Sequence, residues 1–550
     1  MSAQLPQQQV SSIVEAMESA LDRVIDHLAG ACTVDGRIDE ARVNNYQVAA
    51  LDIAFVSSAV SAARELVEVG ASDEFNASLA LACAADVAVD FRSRVDGRSS
   101  IWGIEASRMF ADVASAIDAG RDLKFLETLG ERVIQLGQAG SRKLPEDLEM
   151  VRQTFRRFAE AEVMPIAEAI HRNDEDIPEY IIAGLAKLGC FGLSIPPEFG
   201  GLAEHGDDAL VSMVLVTEEL SRGSLGLAGS LITRPEIVSA AVLHGGTLEQ
   251  KQRWLPRISS GERMCGIAVT EPNFGSDVAG IMTTAVRDGD DWVLNGVKTW
   301  STFAGRAEYL LVLARTDPNR AIGHRGLSLF VVEKPARSGQ EWALTQDAGG
   351  KMEARAIPTI GYRGMHSFEV SLSSWRVPHA NLIGEDAGIG RGFYLQMQAF
   401  ANARLQTAAR AQGVMQAALE HAAAYARERS IFGQSLADFQ LTRVKVARMA
   451  SLLASCRGLT MSSAESLARG DTDAGLKASQ AKQLACRAAE WVTREAQQLH
   501  GGYGYAEEFT VSRLFVDARV LAIFEGSDEV LGLKVIARQL LARATAVEAP

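Results

Sequence analysis

Apolar residues recur at helical spacing from about residue 10 to 140, in a stretch rich in Ala, Glu, Asp, Arg and Leu with only Pro6 ahead of it; this pattern predicts four or five helices. A second helical stretch runs from about 145 to 261. It is broken at Ile195-Pro-Pro-Glu-Phe-Gly-Gly-Leu, whose prolines and glycines cannot continue a helix. After Arg263 the period shortens. Short β-branched and aromatic runs alternate with the turn pairs Asp288-Gly289 and Asn295-Gly296, which predicts strands at 283–286, 292–294, 309–314, 327–332 and 368–372. Helical periodicity returns over 392–429, 435–469, 474–500 and 525–546, long alanine-filled segments that fit a four-helix bundle. The expected fold is mainly α with a central β domain. An N-terminal helical extension spans 1–143, a helical domain 144–263, a small antiparallel β domain 264–378 and the C-terminal bundle 379–550.

A chain of 550 residues exceeds what one core organises and has room to enclose a cofactor. The formal charge of -14 argues against nucleic acid as the main partner, since that polymer is held by Lys and Arg on phosphates. The polar N-terminus lacks the basic start and apolar run of a secretory signal. Its most apolar candidate span, 79–89, is Ala-rich and interrupted by Asp86, so membrane insertion is not expected. Six scattered cysteines without a Cys-x-x-Cys pair fit a reducing cytoplasm and speak against a zinc site.

Five motifs carry candidate chemistry. Val269-Thr270-Glu271-Pro272-Asn273-Phe274-Gly275-Ser276-Asp277 leaves a strand for a loop whose hydroxyls and backbone N–H groups suit a planar polar ligand or a phosphate, or make a hydrogen-bonded turn. In Lys298-Thr299-Trp300-Ser301-Thr302, after the Asn295-Gly296 turn, the tryptophan is either core or a ligand platform. Arg427-Glu428-Arg429-Ser430-Ile431-Phe432-Gly433-Gln434 ends a long helix, where cations are favoured in any case. Gln498-Leu499-His500-Gly501-Gly502-Tyr503-Gly504-Tyr505 is a helix C-cap or a place for close backbone approach. The fifth, Ile523-Phe524-Glu525-Gly526-Ser527-Asp528-Glu529, sets an acid directly after an apolar run. Gly388-Ile-Gly390-Arg-Gly392 imitates a dinucleotide loop but lacks the strand-then-helix setting, and is read as a turn.

In this order the five motifs resemble those of the acyl-CoA dehydrogenase family, over about residues 144–541. The resemblance implies FAD as cofactor. Ile267, Val269, Thr270, Gly275 and Ser276 would line the flavin, with Trp300, Ser301 and Thr302 beside its N5 edge. Arg429, Ile431, Phe432, Phe439 and Gln440, together with Gln498, Gly501 and Gly502, would reach the FAD of a neighbouring subunit, which implies a homo-oligomer. Ser527 and Glu529 would add cofactor contacts, although the family often carries glutamine where this chain has Glu529. Ser276, Arg404 and Gly526 would touch the acyl-CoA substrate. Glu525 falls on the catalytic base; some members place the base beside the substrate-side arginine instead, where this chain has Ala403.

Removing a proton next to a thioester needs a base stronger than an ordinary carboxylate, so Glu525 is expected to sit in a dry pocket that disfavours its ionised form. The extension and the segments Gly229–Glu236 and Gly361–Ser367 are similar to those of a member that acts on a short branched dicarboxylic thioester. This implies conversion of (2S)-methylsuccinyl-CoA to mesaconyl-CoA, with electrons passed to electron-transferring flavoprotein. Arg234, backed by Tyr362 and His366, is the candidate for holding the distal carboxylate. The rivals are a dehydrogenase for another short acyl-CoA, an acyl-CoA oxidase, and a flavin-binding scaffold without catalysis. The extension is expected to cover the surface by which family dimers pair into tetramers, leaving a dimer; a tetramer in light scattering would refute that.

Overall fold

The computed structural model describes residues 4–203 and 208–547. It divides into two compact units, residues 150–406 and a second made of 1–149 with 407–550.

The first unit is built on an eight-stranded sheet. In sheet order, Cys265–Ala268 lies beside Tyr309–Arg315, followed by Thr284–Asp288, Asp291–Thr302, Ser367–Pro378, Lys351–Ala356 and Glu341–Thr345, and Leu327–Glu333 pairs the other side of Tyr309–Arg315. The pairings are antiparallel except for two, Cys265 opposite Tyr309 and Thr284 opposite Arg315. Tyr309–Arg315 is buried along its whole length, as its continuous apolar run Tyr-Leu-Leu-Val-Leu-Ala requires. Glu341–Thr345 and Lys351–Ala356 alternate exposed and buried positions and were not anticipated, because each is short and opens on a charged residue. Asp291–Thr302 runs far beyond the expected three residues and carries Asn295-Gly296 inside it, so that pair is not the turn its residue types suggested; Asn295 pairs with Thr284 and Gly296 with Leu372, and the strand bends at bulges opposite Phe368 to Val370 and Leu372 to Trp375.

One core of this unit joins the sheet to the helices Thr233–Gly245 and Leu248–Ser259 through Ile237, Trp254, Leu255, Leu311 and Leu329. The second helix starts in a capping box between Thr247 and Gln250, and Gln250 also donates to the carbonyls of Ala380 and Leu382, clamping the chain after the last strand. A second core gathers the aromatic residues Trp292, Phe330, Trp342, Phe368 and Trp375 with aliphatic side chains such as Leu294, Val312 and Leu372. The Gly388–Gly392 segment is a turn, with Gly390 at φ +75°, leading into the helix Gly392–Glu428.

The second unit merges the extension with the bundle. Helices Gln4–Cys32, Gln47–Gly70, Glu74–Val95, Ala114–Arg121 and Leu123–Leu136 supply the extension, joined by a small hairpin, Thr33–Val34 with Arg37–Ile38. Asp73 and Asp122 cap their helices by accepting from the N–H groups of Asn76 and Phe125. Leu123–Leu136 lies so close to Gln440–Arg469 that a Cβ on Gly130 would fall 1.9 Å from the Arg443 carbonyl oxygen. The three longest bundle helices, Gly392–Glu428, Gln440–Arg469 and Ala474–His500, follow expectation. The last does not: a helix Thr510–Leu521 precedes a turn at 522–527, and the chain resumes as Asp528–Val530, a wide π turn Leu531–Ala537 and Arg538–Val547. Among the described residues no helix is long and apolar enough to cross a membrane.

Candidate active site

In the first unit, strand Cys265–Ala268 ends at the Thr270–Asp277 loop, which is fastened beneath rather than at its tip. Glu271 is the fastener: its carboxylate accepts the N–H groups of Met282 and Thr283 and the ammonium of Lys298 at 2.8 Å, while Lys298 also donates to the Val269 carbonyl. Burial alone would push the Glu271 carboxyl up, but the Lys298 charge and these donors outweigh it and hold it below the usual carboxylate range. Burial pulls the Lys298 ammonium down to about 8 against the attraction of Glu271. The loop tip is left open, with Gly275 and Ser276 exposed. Thr270 is half-buried and its carbonyl accepts the Thr299 N–H, which sets the next strand beside the loop. Val269 is buried and Ile267 packs on the core below, so these two support the loop more than they line its open face.

Trp300 stands on that strand at φ +56°, a left-handed conformation that a bulky residue adopts at a cost, and its side chain stays 56% exposed. Ser301 Oγ is buried and has no hydrogen-bond partner among the described residues; the Thr302 hydroxyl bonds Ser367 at 2.8 Å. A strained, exposed indole flanked by hydroxyls, beside an open Gly-Ser loop, is a surface shaped for a flat polar ring. The site fits the isoalloxazine of FAD.

In the second unit, Glu525 occupies the turn after Thr510–Leu521, closed by the Asp528 N–H on the Ala522 carbonyl. Glu525 has φ +55° and Gly526 φ +101°; the latter favours glycine, and the former is strain held in place by its neighbours. The carboxylate bonds the Thr407 hydroxyl and forms an ion pair with Arg410 at 2.6 Å, its side chain only 11% exposed. Lys482 donates to the Gly526 carbonyl, and Arg487 lies 3.4 Å from the Asp528 carboxylate. Within this unit the Glu525 side chain is largely withdrawn from solvent and lies against a guanidinium that the sequence did not reveal.

The third and fourth motifs meet in this unit. Arg429, Ile431, Gly501 and Gly502 line one cavity of about 640 Å³ with Tyr425, His500 and Tyr503. His500 stacks on Tyr425 at 4.2 Å between ring centroids, and burial lowers its imidazole from the usual range. Cation, small residues and ring faces suit the adenosine diphosphate end of FAD. Gln498 is exposed at the end of its helix, Phe432 protrudes at 95% exposure, and Phe439 is half-buried outside this cavity. Gln440 is exposed, and its amide donates to Glu127 of the extension. Ser527 is half-buried and Glu529 exposed.

The substrate-side candidates separate. Arg234, on Thr233–Gly245, is buried, donates to the Ser230 carbonyl and lies 5.8 Å from the Tyr362 ring centroid. Gly226 makes that approach possible, since a Cβ there would meet the Arg363 carbonyl at 2.2 Å. His366 does not join them as an anion-binding group, because it faces Asp176 at 3.1 Å and Asp174 at 3.7 Å, and these carboxylates satisfy it. Arg404 is half-buried beside the fully buried Ala403.

Sequence reasoning missed Glu236, a buried carboxyl that accepts from Asn402 at 3.2 Å and bonds Ser194, with no cation paired to it among the described residues. Burial pushes it up to about 7. A carboxyl raised on folding contributes stability that is complete below its unfolded value near 4.5 and disappears as pH rises through about 7. Glu236→Gln is therefore expected to flatten the stability–pH curve over that window, removing a fall of roughly 3 kcal/mol. Urea unfolding at pH 5 and pH 8 measures it, and parallel curves for the two proteins would refute it.

Residues 145–262, 266–374 and 390–541 match, in order, the N-terminal, middle and C-terminal domains of acyl-CoA dehydrogenase. The chain is 45% identical over 404 residues to the (2S)-methylsuccinyl-CoA dehydrogenase of Cereibacter sphaeroides, covering 73% of this chain and 71% of that one. Among solved structures it is similar to a glutaryl-CoA dehydrogenase in complex with glutaryl-CoA, at TM-score 0.66 and 30% identity, covering 72% of this chain and 96% of that one. It is also similar to a Mycobacterium smegmatis glutaryl-CoA dehydrogenase in complex with FADH2, at TM-score 0.61 and 27% identity, covering 72% and 95%. With the flavin-shaped strand end and the buried glutamate, these matches place the chain in the acyl-CoA dehydrogenase family, FAD-dependent enzymes that oxidise the CH–CH bond of acyl-CoA thioesters.

Proposed function

We propose that this enzyme oxidises (2S)-methylsuccinyl-CoA to mesaconyl-CoA, in the cytoplasm and as a dimer, and passes the electrons to electron-transferring flavoprotein. The observation that carries the substrate is Arg234. Its guanidinium is buried, and among the described residues no carboxylate pairs with it. Leaving a buried cation without a counter-ion is costly, which suits a site completed by an anionic substrate. The distal carboxylate of a dicarboxylic thioester is such an ion, and Tyr362 supports the guanidinium from its ring face. The 45% identity to the Cereibacter sphaeroides enzyme supports the same choice.

On this reading Glu525 takes the proton from the α carbon, and the Gly526 segment keeps its backbone close to the thioester. Bound FAD supplies the two-electron acceptor for the hydrogen of the β carbon. Thr270, Ser276 and the Trp300–Thr302 strand end hold and orient the ring, and the cavity around Arg429 and Gly501 takes the adenosine end of a neighbouring subunit's cofactor.

A panel of acyl-CoA thioesters, scored by flavin bleaching without oxygen, tests the substrate. Methylsuccinyl-CoA is expected to bleach fastest, and Arg234→Ala to raise its KM by roughly 10-fold or more while leaving butyryl-CoA within a factor of about two. Equal changes for both thioesters would remove Arg234 from the pocket.

A further inference from the structure

Arg410 is among the largest fully buried side chains of the molecule. One terminal nitrogen reaches both the Thr407 hydroxyl at 2.7 Å and the Glu525 carboxylate at 2.6 Å, and the guanidinium lies over the Phe524 ring, 4.6 Å from its centroid. Thr407 and Arg410, three residues apart on one helix, therefore face the same carboxylate oxygen. Burying a guanidinium is expensive even when it is paired, and an apolar side chain would fill the space at less cost to stability. The turn itself is already fastened by Lys482 on the Gly526 carbonyl and by the Asp528 N–H on Ala522. Neither of these touches the carboxylate, whereas Arg410 does.

We propose that Arg410 is a positioning residue for the dehydrogenation: it fixes the Glu525 carboxylate in one orientation and favours its ionised form in the resting enzyme. This rests on Glu525 being the base. Among the described residues of its own unit, the charged and titratable groups near that carboxylate include Arg410 on the helix Gly392–Glu428, Lys482 and Cys486 on Ala474–His500, and Asp528 on the segment that follows, with Arg487 and Glu529 beside Asp528. Burial raises Asp528, with Arg487 and Lys482 opposing. Lys482 donates to the Gly526 carbonyl and Arg487 pairs with Asp528, while Arg410 bonds the carboxylate of the base directly.

The experiment compares Arg410→Gln and Arg410→Lys with the wild type, as purified yellow holoenzymes, by pH profiles of anaerobic flavin reduction. Arg410→Gln is expected to lower kcat by about 10- to 100-fold with KM within about threefold, as misplacement of a reacting group does. It is also expected to move the acid limb of kcat/KM upward by about one pH unit, because the ionised base has lost its cation. Arg410→Lys keeps the charge without the planar fork, so its acid limb stays with the wild type while kcat recovers only in part. A Gln variant with an unmoved acid limb overturns the proposal, as does a Lys variant with full wild-type kcat. If Arg410→Gln does not fold, Arg410→Lys alone decides, a shifted acid limb or full kcat being the contrary result. Rapid bleaching by Glu525→Gln would instead overturn the assignment of the base; slow bleaching there with an unmoved Arg410→Gln profile would overturn only the role of Arg410.

Discussion

Glutamine in place of Glu525 is expected to slow substrate-dependent flavin bleaching by roughly 10²- to 10⁴-fold. The amide has nearly the shape of the carboxylate and can still bond Thr407, but it cannot take a proton from carbon. It also leaves the buried Arg410 without its counter-charge, and removing one partner of a buried pair costs several kcal/mol in general. The variant should therefore be less stable as well as slow. Rates must be read on protein that retains its yellow cofactor, with Glu525→Asp alongside, which keeps the charge but withdraws it by one methylene. If Glu525→Gln bleaches within a factor of about three of wild type, some other group removes the proton.

The second large effect belongs to Lys298→Met, with an expected loss of roughly 3–5 kcal/mol and weakened flavin retention. Lys298 is fully buried and, among the described residues, its ammonium meets the Glu271 carboxylate and the Val269 carbonyl. Methionine fills the space but strands a buried carboxylate whose other donors are the Met282 and Thr283 N–H groups. Because that carboxylate sits under the Thr270–Asp277 loop, the damage should reach the flavin before the rest of the sheet. The double variant Lys298→Met/Glu271→Gln should lose less than the two single losses added, since the two side chains act as one unit. Urea unfolding followed by flavin and tryptophan fluorescence separates the two readouts. Unchanged midpoints in both would show that the pair does not hold the loop.

Local chemistry made much of this molecule legible from sequence. The Asp288-Gly289 turn and the apolar run at Tyr309 announce strands in the sequence, and Glu525 stands out because an acid follows an apolar run, whereas the Asn295-Gly296 pair, expected as a turn, lies inside a strand. What escaped depends on residues far apart in the chain. Nothing in an alanine-rich helix marks Arg410 as the partner of an acid 115 residues later. Lys298 reads as one polar residue in a strand, because its partner lies 27 residues upstream in another motif. The helix Thr510–Leu521 was missed because Glu507-Glu508-Phe509 carries no Gly or Pro to mark its start. His366 was expected to back Arg234; only the fold brings Asp174 and Asp176 to it.

The union of the first 149 residues with those after 406 has a consequence for how the enzyme is made. The opening helices leave the ribosome long before the Arg443 carbonyl that Gly130 fits against, or the Gln483 amide that bonds Ser58. Their apolar faces must therefore wait, uncovered, for some three hundred residues of translation, a period in which such surface invites aggregation. Chaperone demand during synthesis should fall on the start of this polypeptide, and nonsense mutations in the last quarter should leave insoluble fragments rather than a folded remnant.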